Sequence, residues 1–295
     1  MVEFALTKAH RIRLARAFRA SPRVDISIDC VVEGQMGQAF VDDAHNPTAF
    51  VMQLGVFCYL AGEAESPGGR AMVESQSPPK LLMPSPPEWI EIAQETHRDR
   101  LFETTRYSFS SEHLSIEHLE RLLRGSPLRD QAQRIDATIA ARALVDPDGV
   151  VDVSQFDSAE DFVERGVGFC LMDGETIAGA AYSSLVCSKG IEISLFVLPA
   201  YRRRGVATTL GSMLVKHCLE SRMDPHWDAA NPESCKLAEK LGYAGTGTYE
   251  AYFLRYCWRT RGPFVVGQVR LVRRRHFCTV ALPHVGSGLS AGPCF

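Results

Sequence analysis

Three consecutive arginines, Arg202–Arg204, are followed by Gly205 and Ala207, and these residue types at this spacing suit the binding of a diphosphate. A glycine lets a ligand approach the backbone closely, a small residue leaves the first helical turn open, and arginines donate charge-assisted hydrogen bonds to phosphate oxygens. A helix that begins just after the glycine also turns its free N–H groups and the positive end of its dipole toward the anion.

The flanking sequence supplies the two elements that such a turn needs. Before it, Ile191–Val197 alternates in the manner of a strand. After it, apolar residues from Ala207 to Cys218 recur at spacings of three and four, which predicts a helix over about Arg203–Arg222. The basic turn is therefore expected to connect a strand to a helix.

This run resembles the coenzyme-A signature of the GNAT superfamily of acyl-CoA-dependent N-acetyltransferases. The signature Arg/Gln-x-x-Gly-x-Gly/Ala is met by Arg202, Gly205 and Ala207, and the Val-x-Pro that precedes it in many members is met by Val197 and Pro199. The resemblance implies acetyl-CoA as the co-substrate. The cofactor contacts that it implies in the turn are Arg202, Arg203, Arg204, Gly205, Val206 and Ala207.

A second segment, Asn231–Tyr243, follows about one helix and one strand later. It is similar to the GNAT pattern of an asparagine followed by a helix that ends in Tyr-Glu-Lys-x-Gly-Phe. Asn231 suits the N-cap of a helix, Pro232 its first position and Gly242 its C-terminal end. Asn231 and Ser234 are therefore interpreted either as cofactor contacts or as ordinary residues of a helix start.

Beyond these two motifs, the amino-acid sequence resembles one GNAT subfamily most closely, the one that includes the zwittermicin A resistance acetyltransferase. This resemblance rests on residues Gly168–Cys170, Trp227–Ala229 and Leu237–Tyr243. It is close over about residues 160–256 and loose before them.

Glu192 is the candidate catalytic base, because in several GNAT enzymes a glutamate at the corresponding place accepts the proton of the amine, directly or through water. It lies five residues before Val197, on the predicted strand. Its apolar neighbours point to the opposite face, so its side chain meets either the cleft or the solvent. The resemblance also implies that backbone groups of Phe196 and Val197 serve the pantetheine amides and the oxyanion.

The chain departs from the family at the residue that protonates the leaving group. Many GNAT enzymes place a tyrosine four residues before the glycine of their Gly-Phe pair, and here that position is Ala238. Tyr249, Tyr252 and solvent are the alternatives, since a thiolate is a tolerable leaving group near neutral pH.

The alternation of strands and helices in the C-terminal half predicts an α/β fold with a mixed sheet, of the α+β kind that GNAT proteins have. The family adds a splay between two central strands, into which pantetheine inserts. The predicted strands are Gly168–Met172, Thr176–Val186, Ile191–Val197, His226–Ala229 and Thr248–Tyr256, and the second predicted helix is Pro232–Leu241.

The N-terminal half shows a less regular pattern. Its predicted strands are Val24–Val32, Gln38–Val41 and Thr48–Ala61, and its predicted helices are Pro86–Thr96 and Leu114–Arg124. This order is compatible with a smaller, degenerate copy of the same fold. The glycines of Ala64–Arg70 follow no V-x-P strand, so no phosphate turn is expected there.

Three segments are predicted along the chain. Residues 1–128 form a support or substrate-gating domain, and residues 129–258 form the GNAT-like acetyltransferase domain. Residues 259–295 carry arginines but no acidic residue and are expected to be a disordered tail.

Composition excludes several classes of function. A net charge of −3 gives no general attraction to nucleic acid or to an anionic membrane, and the longest apolar stretch, Phe50–Ala61, is too short to span a bilayer. Nothing at the N-terminus resembles a signal peptide, and the nine cysteines are scattered without a C-x-x-C pair, which favours a reducing cytoplasm. The nine histidines show no metal-ligand spacing, so no metal is expected. A homodimer is left open.

The leading hypothesis is an acetyl-CoA-dependent N-acetyltransferase that acts on a primary amine of a small molecule. The alternatives are a non-catalytic module that binds acyl-CoA or a partner, and a protein N-acetyltransferase. Ala238 favours the non-catalytic alternative, and Glu192 with the arginine turn favours the enzyme.

Overall fold

The computed structural model describes residues 1–144 and 149–256, so the predicted tail lies outside the described residues. The first half contains, in chain order, β1 (Val2–Glu3), α1 (Lys8–Ala17), α2 (Ser27–Glu33), β2 (Gln38–Val41), β3 (Ala49–Leu54), β4 (Phe57–Gly62), α3 (Pro67–Glu74), β5 (Lys80–Leu82), α4 (Pro87–His97) and β6 (Leu101–Ser110). Helix α5 (Ile116–Arg124) follows.

The second half contains β7 (Ala132–Arg134), α6 (Ala137–Ala143), α7 (Ala159–Arg165), β8 (Gly168–Asp173), β9 (Thr176–Val186), β10 (Gly190–Val197), α8 (Val206–Glu220), β11 (Asp224–His226), β12 (Asp228–Ala229), α9 (Pro232–Leu241) and β13 (Ala244–Leu254). The predicted α/β class with mixed sheets is confirmed. Within the described residues, no helix combines the length and the apolar character needed to cross a membrane.

The two halves have the same topology. Each begins with a short strand and two helices, continues with three antiparallel strands, and then reaches a further strand, parallel to the third, through a helix. Each ends with another helix and a long strand, β6 in the first half and β13 in the second. This correspondence is what a degenerate copy of one fold would show.

The long strands are exchanged between the halves. β13 pairs with β5 of the first half, β6 pairs with β12 of the second, and β6 and β13 pair with each other along their lengths. The described strands thus form a sheet ordered β1-β2-β3-β4-β5-β13-β6-β12 and a second sheet ordered β11-β10-β9-β8-β7. Because β12 and β13 of the second half lie in the sheet of the first half, a boundary near residue 128 does not separate the two sheets. The division into two domains stays a prediction.

Local sequence explains most of the element bounds. Helix α9 begins at the N-cap Asn231, whose side chain accepts a hydrogen bond from the Ser234 N–H, and ends at Gly242 in the left-handed conformation. Helix α5 is capped in the same way by Ser115. Helix α8 packs its apolar stripe, which includes Leu210 and Leu214, against the five-stranded sheet.

Two predictions in the N-terminal half were wrong. The segment Val24–Val32 is largely helical, because Gly34 adopts the left-handed conformation that ends helix α2 and Cys30 and Val31 of that helix are buried. The segment Thr48–Ala61 is a hairpin of β3 and β4 rather than one strand. In both places apolar, β-branched residues suggested a continuous strand, and tertiary packing decided the outcome.

One buried ion pair joins the two halves. Arg106 on β6 donates to Asp228 Oδ2 on β12 at 2.6 Å from Nη2 and 2.9 Å from Nε. The side chains are 7% and 3% exposed. Since arginine does not shed its charge, Asp228→Asn leaves a buried guanidinium without a counter-ion.

We therefore expect Asp228→Asn to lower the free energy of unfolding by about 3–5 kcal/mol. Glu117→Gln is the matched control, since it removes an exposed pair with Arg121 at 3.7 Å and should cost less than about 1 kcal/mol. Urea unfolding followed by circular dichroism measures both. Equal effects of the two substitutions would show that the buried pair does not hold the halves together.

Candidate functional site

The start of helix α8 is open. Arg203 and Gly205 adopt left-handed backbone conformations, with φ of 59° and 87°, and no side chain caps the helix. No heavy atom lies within 4 Å of the position that a Cβ of Gly205 would take. The helix start is therefore uncapped and open on the side of Gly205, as an anion site at a helix N-terminus requires.

The three arginines of the turn are placed differently. Arg202 Nε donates to the Val197 carbonyl at 3.0 Å, and its guanidinium lies 5.8 Å from the centre of the Phe196 ring. Arg203 and Arg204 are exposed beside the helix start. Arg202 thus fastens the turn to β10, whereas the positive charges of Arg203 and Arg204 lie exposed beside the helix start.

The remaining predicted residues of the turn frame the helix start. Val206 is buried against the core and Ala207 is half-buried on the first turn. The Val197 carbonyl accepts the bond from Arg202, so one of its two acceptor positions is already occupied.

Strands β10 and β11 separate part-way along β10. Their parallel pairing covers Gly190–Glu192 and ends at the pair Glu192 and His226. From Ile193 to Val197 the structure pairs β10 with β9 alone, while the chain after His226 crosses to β6 as β12. This separation is the splay that the resemblance implies, and Phe196 lies half-buried along its edge.

Glu192 lies at the point where the strands separate. The residue is 7% exposed, and its Oε2 accepts a hydrogen bond from His226 Nδ1 at 2.8 Å and lies 3.4 Å from the Ile26 N–H. Burial raises the pKa of Glu192 to about 7, against the opposing effect of His226. Burial alone would lower the pKa of His226, but the adjacent Glu192 carboxylate outweighs it and raises that pKa to about 9.

More buried polar groups adjoin this pair on the same side. Tyr59 donates to Asp25 Oδ1 at 2.7 Å, and Arg106 Nε lies 3.2 Å from the Tyr249 hydroxyl as well as bonding to Asp228. Asp25, Tyr59 and Arg106 come from the first half, whereas Tyr249 and Asp228 come from the second. The functional region is thus assembled from both halves.

The positions considered for a general acid do not offer one. Ala238 lies on the buried face of α9 and is fully enclosed in the core. Burial, with the neighbouring Asp228, raises the pKa of Tyr249 well above its usual value, which makes it a weak proton donor. Tyr252 lies farther along β13, opposite Leu82 of β5, where its hydroxyl meets exposed glutamates.

The side chains of Asn231 and Ser234 have structural partners. Asn231 Oδ1 caps helix α9, and Ser234 Oγ accepts a hydrogen bond from Trp227 Nε1 at 3.1 Å. Their contact with a cofactor stays a prediction. Within residues 1–144 and 149–256, no group of three or more His, Cys, Asp or Glu side chains is placed to hold a metal ion.

Comparison with known proteins agrees with this geometry. A family model described as GNAT acetyltransferase matches residues 19–252. The chain belongs to the GNAT acetyltransferase family. The match includes most of the first half, so that half is part of the architecture of this family and not an unrelated addition.

Individual relatives support the assignment. The chain is 22% identical over 228 residues to YdfB of Bacillus subtilis strain 168, an uncharacterised N-acetyltransferase, covering 74% of this chain and 85% of YdfB. The crystal structure of a GCN5-related N-acetyltransferase-like protein from Streptococcus suis is 29% identical, with a TM-score of 0.73, over 83% of this chain and 98% of that one. A Drosophila protein that is 13% identical shares the fold, with a TM-score of 0.51 over 86% and 98% of the two chains.

Sequence reasoning missed His226 and the polar residues of the first half that lie near it. His226 was included in a short strand without a role, because its proximity to Glu192 depends on parallel pairing of two strands separated by helix α8. Asp25 and Arg106 lie in segments whose pairing is also long-range.

The Glu192–His226 pair predicts a pH dependence of stability. Both groups bind a proton more tightly in the folded chain than in the unfolded chain, so their contribution is present at low pH and is lost as the pH rises. The loss runs from about 4.5 through about 7 for Glu192 and from about 6.5 through about 9 for His226.

We therefore expect the unfolding free energy of the wild type, minus that of Glu192→Gln/His226→Gln, to fall between pH 4.5 and 9. A tenfold change in proton affinity corresponds to about 1.4 kcal/mol, so the fall should reach several kcal/mol. Urea titrations at several pH values measure it. A constant difference across that range would refute the raised pKa values.

Proposed function

We propose that the protein transfers an acetyl group from acetyl-CoA to a primary amine of a small molecule. One arrangement of three features carries the proposal. The open start of α8 lies at one end of the β10 edge that has no strand partner, and the Glu192–His226 pair lies at the other end. The five strand steps from Val197 to Glu192 span about 17 Å. This length suits an extended pantetheine arm, with the diphosphate at Gly205 and the thioester near His226.

The turn supplies the charge and backbone groups for the diphosphate. Arg203 and Arg204 add positive charge beside the free N–H groups of the helix start. The edge of β10 beyond Glu192 offers backbone groups to the pantetheine amides and, during the reaction, to the oxyanion. Phe196, held under Arg202, lines the same edge.

The charged groups around Glu192, at the end of the β10 edge away from Gly205, support an amine as the acceptor. Three carboxyl groups, of Asp25, Glu192 and Asp228, face two cationic groups, Arg106 and His226. This excess of acid favours a cationic ligand, and Glu192 supplies the charge that draws the proton of the amine. The first half contributes Asp25 and Arg106, which supports its predicted role in shaping the acceptor site.

The acceptor is proposed to be an aminated natural product or an amino sugar. The likeness to the subfamily that includes the zwittermicin A resistance acetyltransferase supports this choice. The absence of a tyrosine at Ala238 supports the second candidate, a non-catalytic acyl-CoA-binding module. Mass spectrometry of a panel of small amines incubated with acetyl-CoA separates the two, because only an enzyme gives acetylated product above the uncatalysed background.

Coenzyme A binding can be tested without knowing the acceptor. Gly205→Val places a branched side chain where the diphosphate would lie, so we expect affinity for coenzyme A to fall about 100-fold, which corresponds to about 2.7 kcal/mol. Isothermal titration calorimetry should give one site per chain for the wild type.

Gly174→Val is the matched control. Gly174 also has a positive φ, of 58°, with no atom within 4 Å of a Cβ, but it lies in the hairpin between β8 and β9. It carries the same backbone strain without blocking the turn, and should bind coenzyme A as the wild type does. Wild-type affinity in Gly205→Val would remove the basis for placing coenzyme A at this turn.

A further inference from the structure

His226 occupies the position where the two strands separate. It is the last residue of β11 that pairs with β10, and the next residue, Trp227, already leads the chain toward the other sheet. With the diphosphate at Gly205, a pantetheine arm that follows β10 ends beside this residue. The placement follows from backbone pairing and does not depend on a side-chain conformation.

The hydrogen bonds of the pair show which residue turns outward. Glu192 directs its carboxylate inward, where Oε2 meets both His226 Nδ1 and the Ile26 N–H, and its side chain is 10% exposed. The His226 side chain is 18% exposed. Its other nitrogen, Nε2, is not fully buried and has no hydrogen-bond partner in the described part of the chain. Of the two residues, the histidine therefore has the free nitrogen, which accepts a proton when the imidazole is neutral.

We infer that His226 Nε2, held by Glu192 through Nδ1, is the atom that takes the proton from the attacking amine and then delivers it to the sulfur of coenzyme A. This inference rests on the proposed function and changes the role of Glu192 from the base itself to the positioning residue behind it. A carboxylate bonded to Nδ1 fixes the tautomer in which Nε2 can accept a proton.

The proton balance of the reaction is complete with this one residue. The amine nitrogen forms a bond to the thioester carbon and gives one proton to Nε2. When the tetrahedral intermediate collapses, the carbon–sulfur bond breaks and the same proton passes from Nε2 to the thiolate. The products are the amide and coenzyme A, and the cycle starts and ends with the neutral form of His226, which is the form present above its raised pKa, so no tyrosine at Ala238 is needed.

The surroundings of His226 stabilise the imidazolium that forms between the two proton transfers. The charged groups that raise the pKa of His226 are acidic: Glu192 on β10, Asp25 before α2 and Asp224 on its own strand. They outweigh the burial that disfavours the cation. The base is thus strong, and transfer should accelerate toward alkaline pH.

Nuclear magnetic resonance of histidine Cε1 in the full chain tests the placement with coenzyme A itself as the probe. The His226 signal, assigned through His226→Gln, should titrate near pH 9, and Glu192→Gln should move that midpoint down by at least one pH unit. Saturating coenzyme A should shift the His226 signal and leave that of His45, in the turn between β2 and β3, unchanged.

The outcomes separate this inference from the proposed function. If calorimetry shows that coenzyme A does not bind, the proposed function fails. If coenzyme A binds and the His226 signal neither shifts nor loses its raised midpoint in Glu192→Gln, the proposed function stands and the role of His226 is overturned.

Turnover gives the second test, with the primary amine that the wild type acetylates fastest in the panel. We expect His226→Gln to lower kcat about 100-fold or more, since a positioned general base contributes on that order. Glu192→Gln should retain more activity, with the midpoint of its pH–rate profile moved to lower pH, and His45→Gln should match the wild type. Loss of all transfer in Glu192→Gln, with wild-type turnover and pH dependence in His226→Gln, would make Glu192 the base and overturn the inference.

Discussion

The exchange of β6 and β13 between the two halves is the constraint on which the rest of the structure depends. β13 of the second half joins the sheet of the first half beside β5, β6 takes β12 of the second half into that same sheet, and the two long strands pair with each other along their lengths. Because β6 draws the chain after His226 into its own sheet, β11 ends after three residues and β12 begins beyond Trp227. The separation of β10 from its neighbour is therefore a consequence of how the halves are joined.

The same constraint places charged groups where water is scarce. The faces of both halves meet around Arg106 and Asp228, and each half supplies charges that the other must neutralise. Burial raises the pKa of Glu192 and of Asp228, and the adjacent cations, His226 and Arg106, counter that rise. A cluster that costs stability in this way is expected where a reaction needs groups that gain and lose protons.

Local sequence predicted the elements whose ends are defined by nearby residues. The bounds of α9 follow from Asn231, Pro232 and Gly242, and those of β9 follow from the adjacent turns, and both agree with the structure. The turn at Gly205 was identified in the same way, since strand, arginines, glycine and helix are consecutive. The α/β class and the family followed from these segments.

Elements that depend on distant partners were not predictable in the same way. β6 was not predicted, because its pairing with β13 joins residues far apart in the chain. The neighbour of Glu192 on the next strand was missed for the same reason, although Glu192 itself was found from its distance to the turn. Alternation along one strand shows that a residue faces one side, whereas the identity of what it meets there is fixed by another part of the chain.

The two copies differ most at the turn that follows their third strand. In the first half, Ser66 caps helix α3 by accepting a hydrogen bond from the Gly69 N–H, and Asp42 packs so closely on Gly68 that a Cβ there would lie 2.5 Å from the Asp42 Cβ. A carboxylate and a cap thus occupy the space that a diphosphate would need.

In the second half the corresponding helix start has no cap, has Gly205 bordering open space, and carries arginines in place of an acidic neighbour. The helix start of the second half therefore attracts an anion, whereas in the first half a side-chain cap and a carboxylate of the protein already lie at the helix start. Duplication of the fold therefore does not duplicate the anion site. The first copy instead contributes strands, and the polar side chains of Asp25, Tyr59 and Arg106, to the surroundings of the second.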